Sequence, residues 1–364
     1  MFLHLDNPKT PVWDGLKAVD WIGSLTIVGG TLMLLLGLEF GGVTYPWNSA
    51  KVICLIVFGV FTLLLFAINE WKLAKYPLMP LRIFKERSNI AALGVCFCHG
   101  IVFISGSYYL PFYFQAVLGV PSLLSGIYLL PWALSFSVTS LVTGILIKKS
   151  GKYLPLLWGG LVVMILGFGL FIDLPVGRTW SKIILYQIVA GLGAGPIFNA
   201  PLLALQAMVQ PRDIATATAT FFFSRVLSGS ISVVIGSVVF QNEMQTRYPS
   251  LVRALGQETA NALSGGSAGA SVGIVNRLPA AERLIARTAF WESLRNMWIM
   301  YTAFAGLGLF VSLFIVNTKL SKLHTATQIG LKAEQDRKKK DDKEQKIQEQ
   351  LSVVEKGENT RKTS

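Results

Sequence analysis

Apolar positions in this chain come in long unbroken blocks, not in the alternating or every-third-residue patterns of water-soluble strands and helices. Eighteen uncharged residues separate Asp20 from Glu39, and another 18 separate Lys51 from Glu70. Sixty lie between Arg87 and Lys148, and the uncharged runs 153–172, 183–211, 226–242 and 296–318 hold 20, 29, 17 and 23 residues. A hydrocarbon core about 30 Å thick takes about 20 residues of helix to cross. The 60-residue block is too long for one crossing, and Gly119-Val120-Pro121-Ser122 supplies turn residues that divide it. The blocks predict eight spans, at 19–39, 51–70, 90–114, 123–147, 154–173, 182–208, 214–240 and 296–316. The expected fold class is all-α: a polytopic membrane protein with about eight transmembrane helices.

Composition removes the soluble alternatives. Only 15% of the 364 residues are charged and 52% are hydrophobic, whereas a soluble domain carries about 25% charged residues. The net charge of +13, from 33 Lys and Arg against 20 Asp and Glu, lies in short loops and the tail. It does not gather on one folded face, so no nucleic-acid partner is implied. Cys54, Cys96 and Cys98 sit in apolar settings and suggest neither a disulfide framework nor a zinc site. No metal-ligand set, nucleophile elbow or phosphate-binding loop occurs, so neither catalysis nor a cofactor is expected.

The charges divide the chain and orient it. The expected parts are an N-terminal segment 1–18, two helices in 19–70, a basic loop 71–89, a six-helix group 90–316 containing a long loop 241–295, and a charged tail 317–364. Lys72, Lys75, Arg82, Lys85 and Arg87 follow the second span, Lys148, Lys149 and Lys152 the fourth, and Arg212 the sixth. The alternate loops carry little positive charge, so both termini are expected in the cytosol. In the long loop, Ala260 to Gly273 is mostly Gly, Ser and Ala and reads as a linker. Pro279 to Leu294 reads as a short interfacial helix, with a substrate lid as the alternative. The tail from Lys319 has 12 basic and 8 acidic residues. It suits either a solvated tail or contact with anionic lipid.

Polar residues inside the spans are the candidate chemistry, because hydrocarbon penalises an unsatisfied polar group. The sixth span holds Gly191, Gly193, Gly195 and Pro196, which suit close helix contact, together with Gln187, Asn199 and Gln206, which suit a wet pathway. Arg225 lies about 18 Å, twelve residues of helix, from the start of the seventh span. It either bonds carbonyls of a neighbouring broken helix or lines a transport path. His99 is a candidate for proton coupling or a satisfied packing residue. Tyr108, Tyr109, Tyr113 and Gln115 in the third span and Trp132 in the fourth can form an amphipathic cavity wall, or serve packing and interface anchoring.

Several segments taken together resemble a known family. GLKAVDWIGS (15–24), preceded by NPKTP (7–11), is similar to the lead-in to the central helices of fungal fourteen-span major facilitator transporters, in the drug:proton antiporter branch that includes mycotoxin and multidrug efflux pumps. PLMPLRIFKERSN (77–89), YYLPFYFQAVLGVPSLLSGIYLLP (108–131), GLGAGPIFNAPLLALQ (191–206) and FFFSRVLSGSISVVIGSVVFQN (221–242) resemble its later segments. The turn Lys148-Lys149-Ser150-Gly151-Lys152 resembles a reduced form of that family's C-terminal basic loop. The resemblance implies a partial major facilitator fold, made of the two central helices and the C-terminal six, without the N-terminal six. It implies proton-coupled efflux of small hydrophobic compounds at the plasma membrane, or the vacuolar membrane, with lipid, protons and a separate six-helix half as partners. A half-bundle acting as a non-transporting scaffold is the alternative function.

Overall fold

The computed structural model describes Trp13 and residues 19–41, 44–73, 79, 81–210, 213–264 and 272–317. The NPKTP segment, Lys75, Arg212 and the charged tail from Lys319 lie outside the described residues. Contacts group Trp21–Ser321 into one compact unit, and the second unit, Met1–Asp20 with Lys322–Ser364, is almost wholly outside the described residues.

Eleven α-helices make up the described part of the compact unit: α1 Trp21–Phe40, α2 Ala50–Ile68, α3 Arg87–Ala116, α4 Ser122–Tyr128, α5 Leu130–Ser150, α6 Leu154–Phe171, α7 Trp180–Met208, α8 Ile214–Leu255, α9 Gln257–Leu263, α10 Val272–Val275 and α11 Ala280–Ser312. Local chemistry sets their ends. Ser49 caps α2, its hydroxyl accepting from the Val52 N–H at 3.4 Å. After α3 the chain turns at Gly119 with φ +67°, where the Val120 N–H reaches back to the Phe114 carbonyl at 3.0 Å. The fourth expected span is split at Leu129 into α4 and α5, because Pro131 in the first turn of α5 has no N–H to continue the ladder. Gly151, with φ +70°, ends α5 in a left-handed cap.

Seven of the helical stretches, α4 with α5 counting as one, are long and apolar enough to cross a membrane among the described residues. The eighth expected span, 296–316, falls inside α11 but as 17 uncharged residues, 296–312, before the helix ends at Ser312. Charged residues fill the first half of that helix. The chain is thus an all-α, multi-pass membrane protein.

The six-helix group 87–312 is organised around α3, which packs against α7, α8 and α11 and carries buried residues on every side. Small residues allow the close approaches. A Cβ on Gly193 would lie 2.2 Å from the Met164 backbone nitrogen, and one on Gly167 would lie 2.3 Å from the Ala190 Cα. These contacts lock α6 to α7. Gly191 and Gly195 face α5 instead, where a Cβ would meet the Trp132 carbonyl oxygen at 2.9 Å and the Ser140 nitrogen at 2.7 Å. Pro196 sits over Gly160 of α6. The α1–α2 hairpin is simpler. Its buried residues, Gly23, Gly30 and Gly37 against Val52, Gly59 and Phe66, recur every seven positions and form one narrow seam.

The region expected as a long loop, 241–295, is mostly helical. At ~1.5 Å per residue the 42 residues of α8 extend ~63 Å, about twice a hydrocarbon core. Its far end, with α9, α10 and the start of α11, buries Leu251, Leu255, Leu263, Val275, Ala286 and Phe290. Arg247 ties this extension together, bonding Glu243 at 2.6 Å and Glu292 at 2.8 Å. Of the expected linker 260–273, residues 260–263 are helical in α9, and 265–271 lie outside the described residues. The expected interfacial helix at 279–294 is instead the first half of α11. Phe290 and Leu294 are buried there and Trp291 donates its ring N–H to the Leu174 carbonyl, so the apolar face turns into the bundle.

Candidate functional site

Three polar residues of the spans, His99, Asn199 and Arg225, meet at the stretch of α7 from Ala194 to Asn199. Arg225, on α8, donates from Nη2 to the Phe198 carbonyl at 2.7 Å. Its guanidinium lies 4.0 Å from the centre of the Phe198 ring and 4.8 Å from that of Phe221, within cation–π range. Nε and Nη1 are buried without a hydrogen-bond partner by geometry, and the Cys96 thiol of α3 lies beside the guanidinium. The carbonyl bond anticipated for this residue is therefore formed, while two of its three nitrogens keep unused donor capacity.

His99 is fully buried one turn away on α3. Nε2 lies 3.2 Å from the Ala194 carbonyl, Nδ1 has no partner, and the ring stacks on Phe103 at 5.6 Å. The neighbouring glycine explains the closeness of α3 and α8: a Cβ on Gly100 would lie 1.9 Å from the Ser228 hydroxyl oxygen.

Asn199 points to the other side of α7 and donates to the Ser140 hydroxyl of α5 at 3.2 Å. This pair lines an open cavity of about 540 Å³ between α5 and α7, whose walls also include Phe136, Ser137, Lys148 and Phe198. Phe198 joins the two features, with one face to the cavity and its carbonyl to Arg225.

The remaining candidates are placed elsewhere. Gln187 is buried, donating to the Ile183 carbonyl at 2.9 Å, with Oε1 unpartnered. Gln206 ties the end of α7 to Thr218 of α8 at 2.9 Å. Gln115 holds the α3–α4 turn, donating to Ser125 at 3.2 Å and accepting from Ser122 at 3.1 Å. Tyr109 and Tyr113 are inside the bundle, donating to the Val233 carbonyl at 2.7 Å and the Pro175 carbonyl at 2.5 Å. Trp132, also buried, reaches the Ser107 hydroxyl at 3.3 Å. Tyr108 is exposed. These aromatics do not share one wall. Gly191, Gly193, Gly195 and Pro196 sit at helix contacts, as described above.

Ser140, Phe198 and Lys148 were not legible as site residues. Ser140 lies in a helix rich in hydroxyls, of which Ser135, Ser137 and Thr139 bond their own helix carbonyls, and the sequence alone does not distinguish it from them. Outside the spans, Asp173 accepts from Lys182 at 2.7 Å and Tyr186 at 2.9 Å, and the Lys182 bond holds its carboxyl below the usual range.

A multi-span bundle with close glycine contacts and a part-buried guanidinium at Arg225 has clear relatives. The sequence profile of the Major Facilitator Superfamily matches residues 16–233, and the chain belongs to that family. It is 49% identical over 333 residues to the efflux pump dotC of Dothistroma septosporum (strain NZE10 / CBS 128990), an alignment that covers 92% of this chain and 57% of that protein. It is 46% identical over 357 residues to the MFS-type transporter ppz2 of Metarhizium majus, covering 96% of this chain and 62% of that one. The chain thus spans less than two thirds of the length of these relatives. A crystal structure of a bacterial homologue of the human lysosomal transporter Spinster, inward-facing and occupied, matches the fold with a TM-score of 0.50 at 18% identity, over 83% of this chain and 64% of that one.

Proposed function

We propose that this chain serves the export of small, largely apolar compounds across a membrane in exchange for protons, working with a six-helix half that completes the transporter. The observation that carries this reading is the α5–α7 cavity, where the Asn199–Ser140 pair and Phe198 present amide, hydroxyl and aromatic surface to one open space. Ligand sites combine a mostly apolar lining with a few placed polar groups in this way. The fungal relative named as an efflux pump supports the direction of movement, and the one named as an MFS-type transporter supports transport. Alternating access works by two bundles rocking about a shared site, so the chain alone is expected to be inactive. The lysine-rich turns support both termini in the cytosol, with α11 as an eighth crossing and Lys148, Lys149 and Lys152 on that same side.

The test uses a pump-deleted yeast host challenged with several hydrophobic toxins. The chain fused to the part of its Dothistroma relative that the alignment leaves uncovered is expected to lower intracellular toxin, and Arg225→Ala in that fusion to cut export at least about tenfold, the equivalent of about 1.4 kcal/mol. Arg225→Lys is expected to rescue poorly, because an ammonium does not reproduce the fixed fork of guanidinium donors. Membrane yield is measured alongside. Loss of yield with normal export per molecule would assign Arg225 to structure alone, and an inactive fusion of normal yield would refute the transport reading.

A further inference from the structure

We infer that the groove between α5 and α7 selects amphipathic aromatic organic anions over cations of the same shape. This rests on the transport reading of the same site and names its substrate class. The groove, about 540 Å³, falls within the range of sites for drug-sized molecules. One part of its wall is aromatic. The Phe136 and Phe198 rings are 5.4 Å apart at 75°, and Phe103 lies behind both, at 4.7 Å and 6.1 Å. Such an edge-and-face cluster presents both ring faces and ring edges, to which a flat aromatic body can stack or dock edgewise. The Asn199 amide and the Ser140 hydroxyl beside it offer hydrogen bonds to carbonyl or hydroxyl substituents.

Charge decides the rest. Among the described residues, Lys148 is the one charged residue lining the groove, and no carboxylate lines it. Lys149 and Lys152 stand at the same end. Behind Phe198 lies the Arg225 guanidinium, 4.0 Å from the ring. The scarcity of acids extends well beyond the groove. Between Arg87 and Arg225 the only acidic residues are Asp173 and Asp213. Asp213 is ion-paired with Arg82 and Asp173 with Lys182. A cation entering the groove therefore meets Lys148, with the Arg225 guanidinium behind Phe198, and no carboxylate among the described lining residues. An anion meets the reverse. From Phe136 to Lys148 along α5 is ~18 Å, so a ring system held at Phe136 and Phe198 can extend an acidic group toward Lys148. Lys148 also suits the C-terminal end of its helix, so the test varies ligand charge and does not read stability.

The probes are 1-pyrenebutyrate and 1-pyrenemethylammonium, which share a ring system and differ in charge. The full chain carrying Cys54→Ala and Ser137→Cys is reconstituted in phosphatidylcholine vesicles, and the alkylation rate at position 137, an exposed groove residue, is measured against the Cys54→Ala parent. Pyrenebutyrate is expected to slow alkylation about fivefold, the upper range for one partly exposed ion pair, and the ammonium to leave it unchanged. Adding Lys148→Glu should abolish or reverse that order, and because Lys148 is exposed the fold should be kept. Equal protection by both probes, stronger protection by the ammonium, or anion protection untouched by Lys148→Glu would each overturn the inference. Failure of the two readings is separable. Charge-selective protection with a fusion that exports nothing leaves the anion site and removes the transport role. Export without charge-selective protection does the opposite.

Discussion

The α1–α2 hairpin and the six-helix group 87–312 are both built from long apolar helices, yet they are held together differently. In the hairpin the buried positions are one glycine-lined seam, and Leu25, Leu32, Val57, Phe58 and Leu64 stand exposed around it. In the six-helix group the helices meet on several faces, and buried polar side chains reach across them: Tyr301 to the Ser232 carbonyl, Ser232 to the Ile101 carbonyl, His99 to Ala194. Since lipid tails are as apolar as leucine, hydrophobicity cannot choose between these arrangements. Close backbone approach and internal polar bonds choose. The hairpin has the first in one direction only, and the larger unit has both in several directions.

Glycine substitutions should break this contrast most forcefully. Gly193→Val places a branched side chain where even a Cβ would lie 2.2 Å from the Met164 nitrogen. The backbone contact between α6 and α7 cannot yield as a side-chain tip would, so a loss of at least ~3 kcal/mol is expected, at the upper end for overpacking. Gly29→Val in α1 meets nothing within 4 Å and should change stability by less than ~0.5 kcal/mol, as exposed positions do. Thermal unfolding of both variants in detergent, with monodisperse yield, checks this. Equal loss at the two positions would mean that the hairpin seam is wider than its buried residues indicate.

That difference bears on what the sequence could reveal. The positions of seven spans followed from charge-free block length, and the split near Gly119 from turn residues, because those signals are local. The extension of α8 to Leu255 was hidden. Polar residues such as Gln245, Thr246 and Arg247 look like loop beyond a membrane edge, and the pairing of Arg247 with Glu292, 45 positions on, which ties them to α11, has no local sequence signal. In the candidate site, Arg225 stood out as a lone charge in an apolar block. Its partner did not, because a backbone carbonyl carries no sequence signal. Tyr109 and Tyr113 were legible as polar aromatics, but which way they face depends on helix rotation, and the structure turns both inward.

A smaller effect sharpens the polar half of the contrast. The Tyr301 hydroxyl donates to the Ser232 carbonyl at 2.7 Å and lies 3.5 Å from the Ser232 hydroxyl, fully buried between α8 and α11. Tyr301→Phe keeps the ring and removes the bond, and interhelical hydrogen bonds of this kind average about 0.6 kcal/mol. Thr26→Ala in α1 removes a bond to the carbonyl of Ile22 in its own helix, at 2.7 Å, and joins no two elements. The expected order in thermal unfolding is a small drop for Tyr301→Phe and no resolved change for Thr26→Ala. A larger drop at Thr26 would show that the hairpin relies on polar bonds after all.

The smallest expected effect lies outside the spans, at Asp173. Its carboxylate accepts from Lys182 and Tyr186, and the Lys182 bond lowers its pKa. For a carboxyl with a folded-state pKa below its unfolded value, the stabilising contribution is complete above the unfolded value and is lost as pH falls through the folded one. With an ordinary aspartate near 3.9, the entire window lies at or below about pH 4. The pair is also open to solvent, with the two side chains 43% and 66% exposed, and such pairs contribute little. Asp173→Asn should therefore leave the unfolding temperature unchanged from pH 5 to pH 8 and diverge from the parent, if at all, only by flattening its acid response below pH 4. A parent-versus-variant difference that grows between pH 5 and pH 8 would contradict this. It would also make Asp173 a candidate for proton-linked behaviour near neutrality.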